Sequence, residues 1–225
     1  METIFEVDHL SKVYGAGTAA AVNAVDDVTL TIKRGEFSAL VGPSGSGKST
    51  LLNLLSGLDV PTSGSIKLVG QDLGKMSESQ LSDFRRDHIG FVFQSYNLIP
   101  VLTVEENIEY IILLQHMEKP KRRQRVEELL SEVGLDGLGK KFPNQLSGGQ
   151  QQRVAVARAI ASKPDIVLAD EPTANLDSKT GETLLDMMHT LNDNHNVTFI
   201  FSTHDQMIMD RARRLIKLRD GRLVQ

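Results

Sequence analysis

Gly42-Pro43-Ser44-Gly45-Ser46-Gly47-Lys48-Ser49, followed by Thr50, is the stretch whose reading decides the fold. It fits the pattern G-x-x-x-x-G-K-[ST] at every fixed position. An apolar run, Phe37 to Val41, precedes it and is expected to be a buried strand. Thr50 to Gly57 follows with the length and apolar content of a helix. Gly42, Gly45 and Gly47 let successive N–H groups turn inward around a phosphate. The helix behind them adds a partial positive charge, on the order of +0.5, at its N-terminus. Lys48 is then placed to reach the terminal phosphates, and the Ser49 hydroxyl to hold Mg²⁺. The chain is expected to bind a nucleoside triphosphate.

Outward from this loop, strand and helix patterns alternate. Residues 3 to 10 and Asp27 to Ile32 read as strands, with a small-residue loop from Tyr14 to Ala21 between them. On spacing alone, Tyr14 either stacks on an adenine or anchors its own loop. Beyond the loop helix come a turn at Pro61–Gly64, a short strand at Ser65–Val69 and a turn at Gly70–Asp72. A polar helix over Ser77 to Asp87 starts with Ser77 and Gln80 in capping-box spacing. Ile89 to Phe93 is a β-prone run ending at Gln94.

From Ser95 to about Ala161 the character turns helical. Thr103 caps one helix, whose Val104, Ile108, Ile111, Ile112 and Gln115 mark a face. Pro120 opens another, and Gly134 lies near its end. The basic run from Lys119 to Arg125 is read as a solvated face, with a membrane or partner contact as the other reading. A third helix follows Gln145-Leu146-Ser147-Gly148-Gly149-Gln150. Ile166–Ala169 and Val197–Phe201 are continuous apolar runs of the parallel-sheet kind, separated by a helix over Ser178 to Asp193. Arg214–Leu218 and Arg222–Val224 read as a terminal hairpin. Such alternation predicts an α/β fold with a mostly parallel sheet.

Composition narrows the partners. Hydrophobic residues at 40% and charged residues at 24% suit a soluble globular domain. A net charge of −4 gives no hint of broad nucleic-acid binding, which usually needs a basic face. Without cysteine there are no disulfides and no thiolate metal sites, which suits a reducing cytoplasm. The segment from Met1 to Glu6 carries no leader signature, and no run of about eighteen apolar residues spans a membrane.

Four expected strands end in polar residues: Val41 into the loop, Phe93 into Gln94, Ala169 into Asp170 and Glu171, and Phe201 into Ser202, Thr203 and His204. Ligands of open α/β sheets bind at the carboxyl ends of strands, so these scattered residues should converge. Each alone has a plain structural explanation; their coincidence at four strand ends does not.

Together with Leu146-Ser-Gly-Gly-Gln150, Asn175-Leu-Asp177 and His204, these residues resemble the motif set of an ATP-binding-cassette ATPase, in that family's order and over nearly the whole chain. The resemblance implies one domain over 1–225: a P-loop nucleotide-binding core with an antiparallel β lobe (1–94 and 162–225) and an inserted helical subdomain (95–161). It implies that Gly42, Pro43, Ser44, Gly45, Ser46, Gly47, Lys48, Ser49 and Thr50 hold the phosphates. Ser49 and Gln94 would ligate Mg²⁺, with Asp170 in support. Glu171 would be the base or water-positioning group, His204 would contact the γ-phosphate, and Lys48 and Gln94 would share in catalysis. Tyr14 falls at the adenine-stacking position. Ser147, Gly148, Gly149 and Gln150 open a helix, a second anion-binding terminus with no phosphate to serve in its own chain. The resemblance implies that two cassettes pair head-to-tail as a homodimer, each signature closing on the other's ATP, with Asp177 at the shared interface.

Gly15 to Asn23, Gln94 to Asn107 and Gln150 to Arg153 look most like the lipoprotein-release and macrolide-export subfamily. That implies an integral membrane permease as partner, and a peripheral location on the cytoplasmic face of the cell membrane. Tyr96, Leu98, Ile99 and Leu102, expected to be exposed, would line the groove for a coupling helix. A cell-division ATPase that transmits force without moving a substrate is the second reading, and a soluble cassette protein the third.

Overall fold

The computed structural model describes residues 2–18 and 20–224. Ala19, inside the expected loop, and Met1, in the segment read as carrying no leader, lie outside the described residues, as does Gln225. Two sheets form. In the first, β1 (Thr3–Tyr14), β2 (Val22–Lys33), β4 (Ser63–Leu68) and β5 (Gln71–Asp72) pair antiparallel in the order β2-β1-β4-β5. The second has the order β10-β9-β3-β8-β7-β6, from β3 (Phe37–Val41), β6 (Ile89–Val92), β7 (Ile166–Asp170), β8 (Thr198–Thr203), β9 (Arg214–Arg219) and β10 (Arg222–Val224). All its neighbours run parallel except β9 and β10.

The apolar runs are continuous because these central strands are covered on both faces. Ala39, Ala169, Phe199 and Phe201 face a core shared with α3 (Val104–Leu114), α4 (Lys119–Glu132), α5 (Gly148–Ala161) and α6 (Ser178–His195). The alternate residues Leu40, Leu168 and Ile200 face a core built with α1 (Lys48–Leu55), Phe84 of α2 (Glu78–His88) and the antiparallel sheet. Helix α5 is seated closely on β6: a Cβ on Gly90 would collide with the carbonyl of Ala159. Ser77 and Thr103 both cap as expected, each in a complete capping box with Gln80 and Glu106.

Several boundaries depart from the sequence reading. Strand β1 runs past His9, where left-handed residues at His9 (φ 46°) and Asp27 (φ 53°) break the alternation, and resumes to pair Tyr14 with Val22. Tyr14 therefore ends a strand, and Val22 and Asn23 begin one. Gln71 and Asp72, read as a turn, pair with Leu68 and Lys67. The terminal hairpin forms as expected from β9 and β10, and β9 also lies parallel beside β3, which extends the core sheet. A short helix, α7 (Gln206–Arg211), was not expected; Asp205 caps it by accepting from the Met207 N–H.

At the end of the sheet where β7 starts, Asp165 ties three segments together. Arg34, in the β2–β3 turn, donates to its Oδ1 at 2.6 Å, and His88 lies 2.7 Å from its Oδ2. The His88 hydrogen bond, ahead of the Arg34 pair, holds the Asp165 carboxyl below the usual aspartate value of 3.8. A depressed carboxyl stabilises the fold above its unfolded value, and that contribution is lost as pH falls through the folded one. Asp165→Asn should cost about 1–2 kcal/mol at neutral pH, a melting-temperature loss of roughly 3–6 °C. Melts repeated at falling pH should show the gap to wild type closing below about pH 4.

Candidate active site

A cleft of about 860 Å³ opens at the carboxyl ends of the parallel strands. Gly45, Gly47, Lys48, Ser49 and Thr50 line it from the loop, Gln94 from the end of β6, Asp170 and Glu171 from β7, and Ser202 and His204 from β8. Ser44, Asp220 and the start of β2, Val22 to Ala24, complete the wall. All four strand ends singled out in the sequence thus meet in one place.

The loop is shaped by its glycines. Gly45 (φ 79°) and Gly47 (φ 100°) are left-handed, and a Cβ on Gly47 would collide with the Ala24 carbonyl. Gly47 occupies the cap position of α1 without a side-chain cap, and no acidic residue lies in the first turn. The positive end of the helix is therefore directed at the cleft without a local counter-charge. Lys48 lies under the loop, its Nζ donating to the carbonyls of Gly42 (2.7 Å) and Pro43 (3.0 Å). Ser46 is buried beneath.

Glu171 is held from three sides. Its Oε1 lies 2.5 Å from His204 Nδ1, its Oε2 accepts from the Thr203 hydroxyl at 3.0 Å, and its N–H donates to the Ser202 carbonyl at 2.9 Å. A carboxylate can only accept, so His204 Nδ1 carries the proton. Glu171 also has φ 44°, a left-handed backbone costing about 1–3 kcal/mol that the surrounding bonds must offset.

Three groups of expected residues lie elsewhere. Ser147 caps α5 in a reciprocal box with Gln150, so the hydroxyl and the Gln150 carboxamide are both engaged, and Ser147 is exposed. Asp177 caps α6 by accepting from the N–H and hydroxyl of Thr180. Thr180 also abuts Gly149, and a Cβ on Gly148 would stand 2.8 Å from the Tyr96 hydroxyl. Signature and Asp177 therefore adjoin on the surface, outside the cleft. Tyr14 lies beside the cleft and does not line it. Its hydroxyl donates to Asp59 at 2.6 Å and its ring carries the Lys12 ammonium 4.9 Å from the centroid. Pro43 contributes its carbonyl to Lys48.

The structure adds residues that the motifs did not show. Gln152 is fully buried in α5, and its Nε2 donates to the carbonyls of Pro172 (2.9 Å) and Phe93 (3.4 Å), the neighbours of Glu171 and Gln94. Its position four residues before Val156 and seven before Ala159, on the buried face, was the available signal. Arg158 donates to the carbonyls of Tyr96 (2.9 Å) and Asn97 (2.6 Å), two consecutive left-handed residues after Gln94. Asn175 donates to the Gln94 carbonyl at 2.9 Å. Helix α5 thus grips both sides of the cleft through backbone carbonyls.

Replacing Gln152 with Leu strands the buried Pro172 carbonyl, a loss of about 1–3 kcal/mol. The melting temperature should fall by roughly 3–9 °C. Gln151→Leu, which removes only a 3.2 Å bond to the Leu146 carbonyl from a half-buried side chain, should stay within about 3 °C of wild type in the same scan.

Known proteins resemble this chain closely. Residues 25–174 match the family described as ABC transporter. The uncharacterized ABC transporter ATP-binding protein YbbA of Escherichia coli (strain K12) is 46% identical over 222 residues, covering 99% of this chain and 97% of that protein. The macrolide export ATP-binding/permease protein MacB of Shigella flexneri is 43% identical, but this chain spans only 34% of its length. Among solved structures, the dimeric post-hydrolysis state of the ATP-binding cassette MJ0796 bound to ADP and Pi superposes with a TM-score of 0.89. It is 42% identical, with 99% of this chain and 97% of that one covered. Taken with the phosphate loop, the strand-end carboxylates and the signature helix, these matches establish that the chain belongs to the ABC transporter family, as one of its ATPase cassettes.

Proposed function

We propose that this chain is the ATP-hydrolysing subunit of a transporter or mechanotransmission complex and works as a pair around two ATP molecules. It would drive a separate integral membrane permease that exports or releases lipoproteins, peptides or macrolide-like compounds, from the cytoplasmic face of the membrane. The observation that carries the pairing is the separation of two anion-binding ends within one chain. The α1 terminus opens into the cleft, whereas the α5 terminus, with Ser147, Gly149 and Asp177, faces outward beside Thr180. A second copy placed head-to-tail brings each signature to the other's phosphates. The dimeric post-hydrolysis structure of the MJ0796 cassette, bound to ADP and Pi, supports this.

Within the cleft, Lys48 and the N–H groups of Gly45, Gly47 and Ser49 hold the phosphates. Ser49, Gln94 and Asp170 line the same cleft and offer only hard oxygen donors, a set that fits Mg²⁺. Ser49 and Gln94 would hold the ion with Asp170 behind them, and when bound it neutralises charge on the terminal phosphates. Glu171 orients or deprotonates the attacking water. His204 and Thr203 fix the direction of that carboxylate, and His204, at the cleft edge, reaches the γ-phosphate. Adenine stacks on Tyr14, beside Thr50.

The permease reading rests on the MacB match, which joins an ATP-binding and a permease part under one name and favours export over cell division. No helix among the described residues is long and apolar enough to cross a membrane. The groove differs from the expected one. Tyr96, Leu98, Ile99 and Leu102 are half-buried, because the chain folds back there under Arg158, while Val101, Tyr110, Leu113 and Leu114 are exposed. A 250 Å³ hollow lined by Phe91, Phe93, Tyr110 and Ile111 lies alongside and suits a coupling helix.

Size-exclusion chromatography of Glu171→Gln protein tests the pairing. Hydrolysis should drop about 10²- to 10⁴-fold, and Mg-ATP should shift the protein from monomer to dimer. Adding Ser147→Arg should abolish the shift. Unchanged hydrolysis in Glu171→Gln, or a dimer that survives Ser147→Arg, would overturn the reading.

A further inference from the structure

Ser202 is 1% exposed, yet its hydroxyl has no hydrogen-bond partner among the described residues. Buried polar groups in folded proteins are nearly always paired, so such a hydroxyl needs an explanation. Its neighbour shows the contrast. Thr203 donates to Glu171 Oε2 and accepts from the Asp205 N–H, so its hydroxyl is paired in both senses. Sheet geometry fixes where Ser202 points. Side chains alternate along β8, so Ser202 shares a face with Ile200, and Asp170 shares one with Leu168 on β7. Leu168 and Ile200 belong to the core beneath α1, together with Leu51 and Leu55. Asp170 and Ser202 are register partners across β7 and β8. The two side chains therefore stand next to each other on the α1 face, and both line the cleft with Lys48 and Ser49.

We propose that Ser202 is a positioning residue for the metal: its hydroxyl hydrogen-bonds a water of the Mg²⁺ shell beside Asp170. The proposal rests on the reading of Ser49, Gln94 and Asp170 as the magnesium site. Thr203 alternates to the opposite face of β8, where its hydroxyl binds Glu171, and Glu171 is itself held by Thr203 and His204. Asp170 would thus not support the ion alone. Groups supporting a metal from behind its ligands commonly change its affinity by about 10- to 100-fold.

The test titrates Mg²⁺ against a fluorescent N-methylanthraniloyl-ATP bound to wild type, Ser202→Ala, Ser202→Thr and Asp170→Asn. Ser202→Ala should raise the Mg²⁺ concentration at half-saturation by about 10-fold or more. Its nucleotide affinity in EDTA should stay unchanged, and Ser202→Thr, which keeps a hydroxyl, should recover wild-type behaviour. If Ser202→Ala keeps the wild-type Mg²⁺ midpoint while Asp170→Asn shifts it, the hydroxyl is only an orphan of packing and the proposal is overturned. If Asp170→Asn also leaves the midpoint unmoved, the magnesium site itself is misplaced. Equal weakening of Ser202→Ala in EDTA and in Mg²⁺ would assign the hydroxyl to the nucleotide and likewise overturn it. Thermal melts without nucleotide accompany each variant, and a drop confined to Ser202→Thr marks overpacking, in which case Ser202→Cys replaces it as the polar substitute.

Discussion

The phosphate loop is wedged between two other backbones, and the site depends on that wedge. A side chain on Gly42 would strike the Leu218 carbonyl, and one on Gly47 the Ala24 carbonyl. The Gly221 N–H donates to Ser46, and the Asp26 N–H to Gly221. Loop, β9–β10 turn and β2 therefore form one continuous backbone contact that joins the two sheets. Glycine is needed there because nothing larger leaves room for main chain to touch main chain. Such a contact fixes the loop amides before any ligand arrives, which is the preorganisation that phosphate binding rewards.

The candidate site is built from strand ends, and the two cores keep them still. Each central strand is locked from both faces, so Glu171 and Ser202 project from a frame that cannot slide by one residue without exposing a core row. Strain is concentrated at Glu171, whose left-handed backbone persists because Ser202, Thr203 and His204 all bind it. Helix α5 contributes from below. Gln152 and Arg158 grip carbonyls beside Glu171 and Gln94, so the helix that starts at Ser147 is mechanically connected to both walls of the cleft.

Much of this was legible in the sequence because it is local or periodic. The loop glycines, the caps at Ser77 and Thr103, and the buried runs of β3, β7 and β8 announce themselves within a few residues. The end of β1 did not, because the irregularity at His9 resets the alternation and the pairing of Tyr14 with Val22 is set by the partner strand. Helix α7 is too short to show a period. Gln152 sits in a run of three glutamines, and only its helical spacing from Val156 and Ala159 hints that it is the buried one, while its partners Pro172 and Phe93 are set by the tertiary fold. The half-burial of Tyr96, Leu98, Ile99 and Leu102 follows from left-handed turns at Tyr96 and Asn97 that no propensity predicts. Whether a strand-end hydroxyl is spent, as in Thr203, or unspent, as in Ser202, is likewise a tertiary property.

The Arg34–Asp165–His88 junction lies at the opposite end of the sheet from the cleft, separated by the full length of β7. Substitutions at positions that far apart, with no shared partners, act almost independently. Changes at that junction and changes at the cleft rim should therefore add in their effects on stability. The base of the sheet is thus a place where stability can be altered with little energetic coupling to the cleft, unlike Gln152, which serves both.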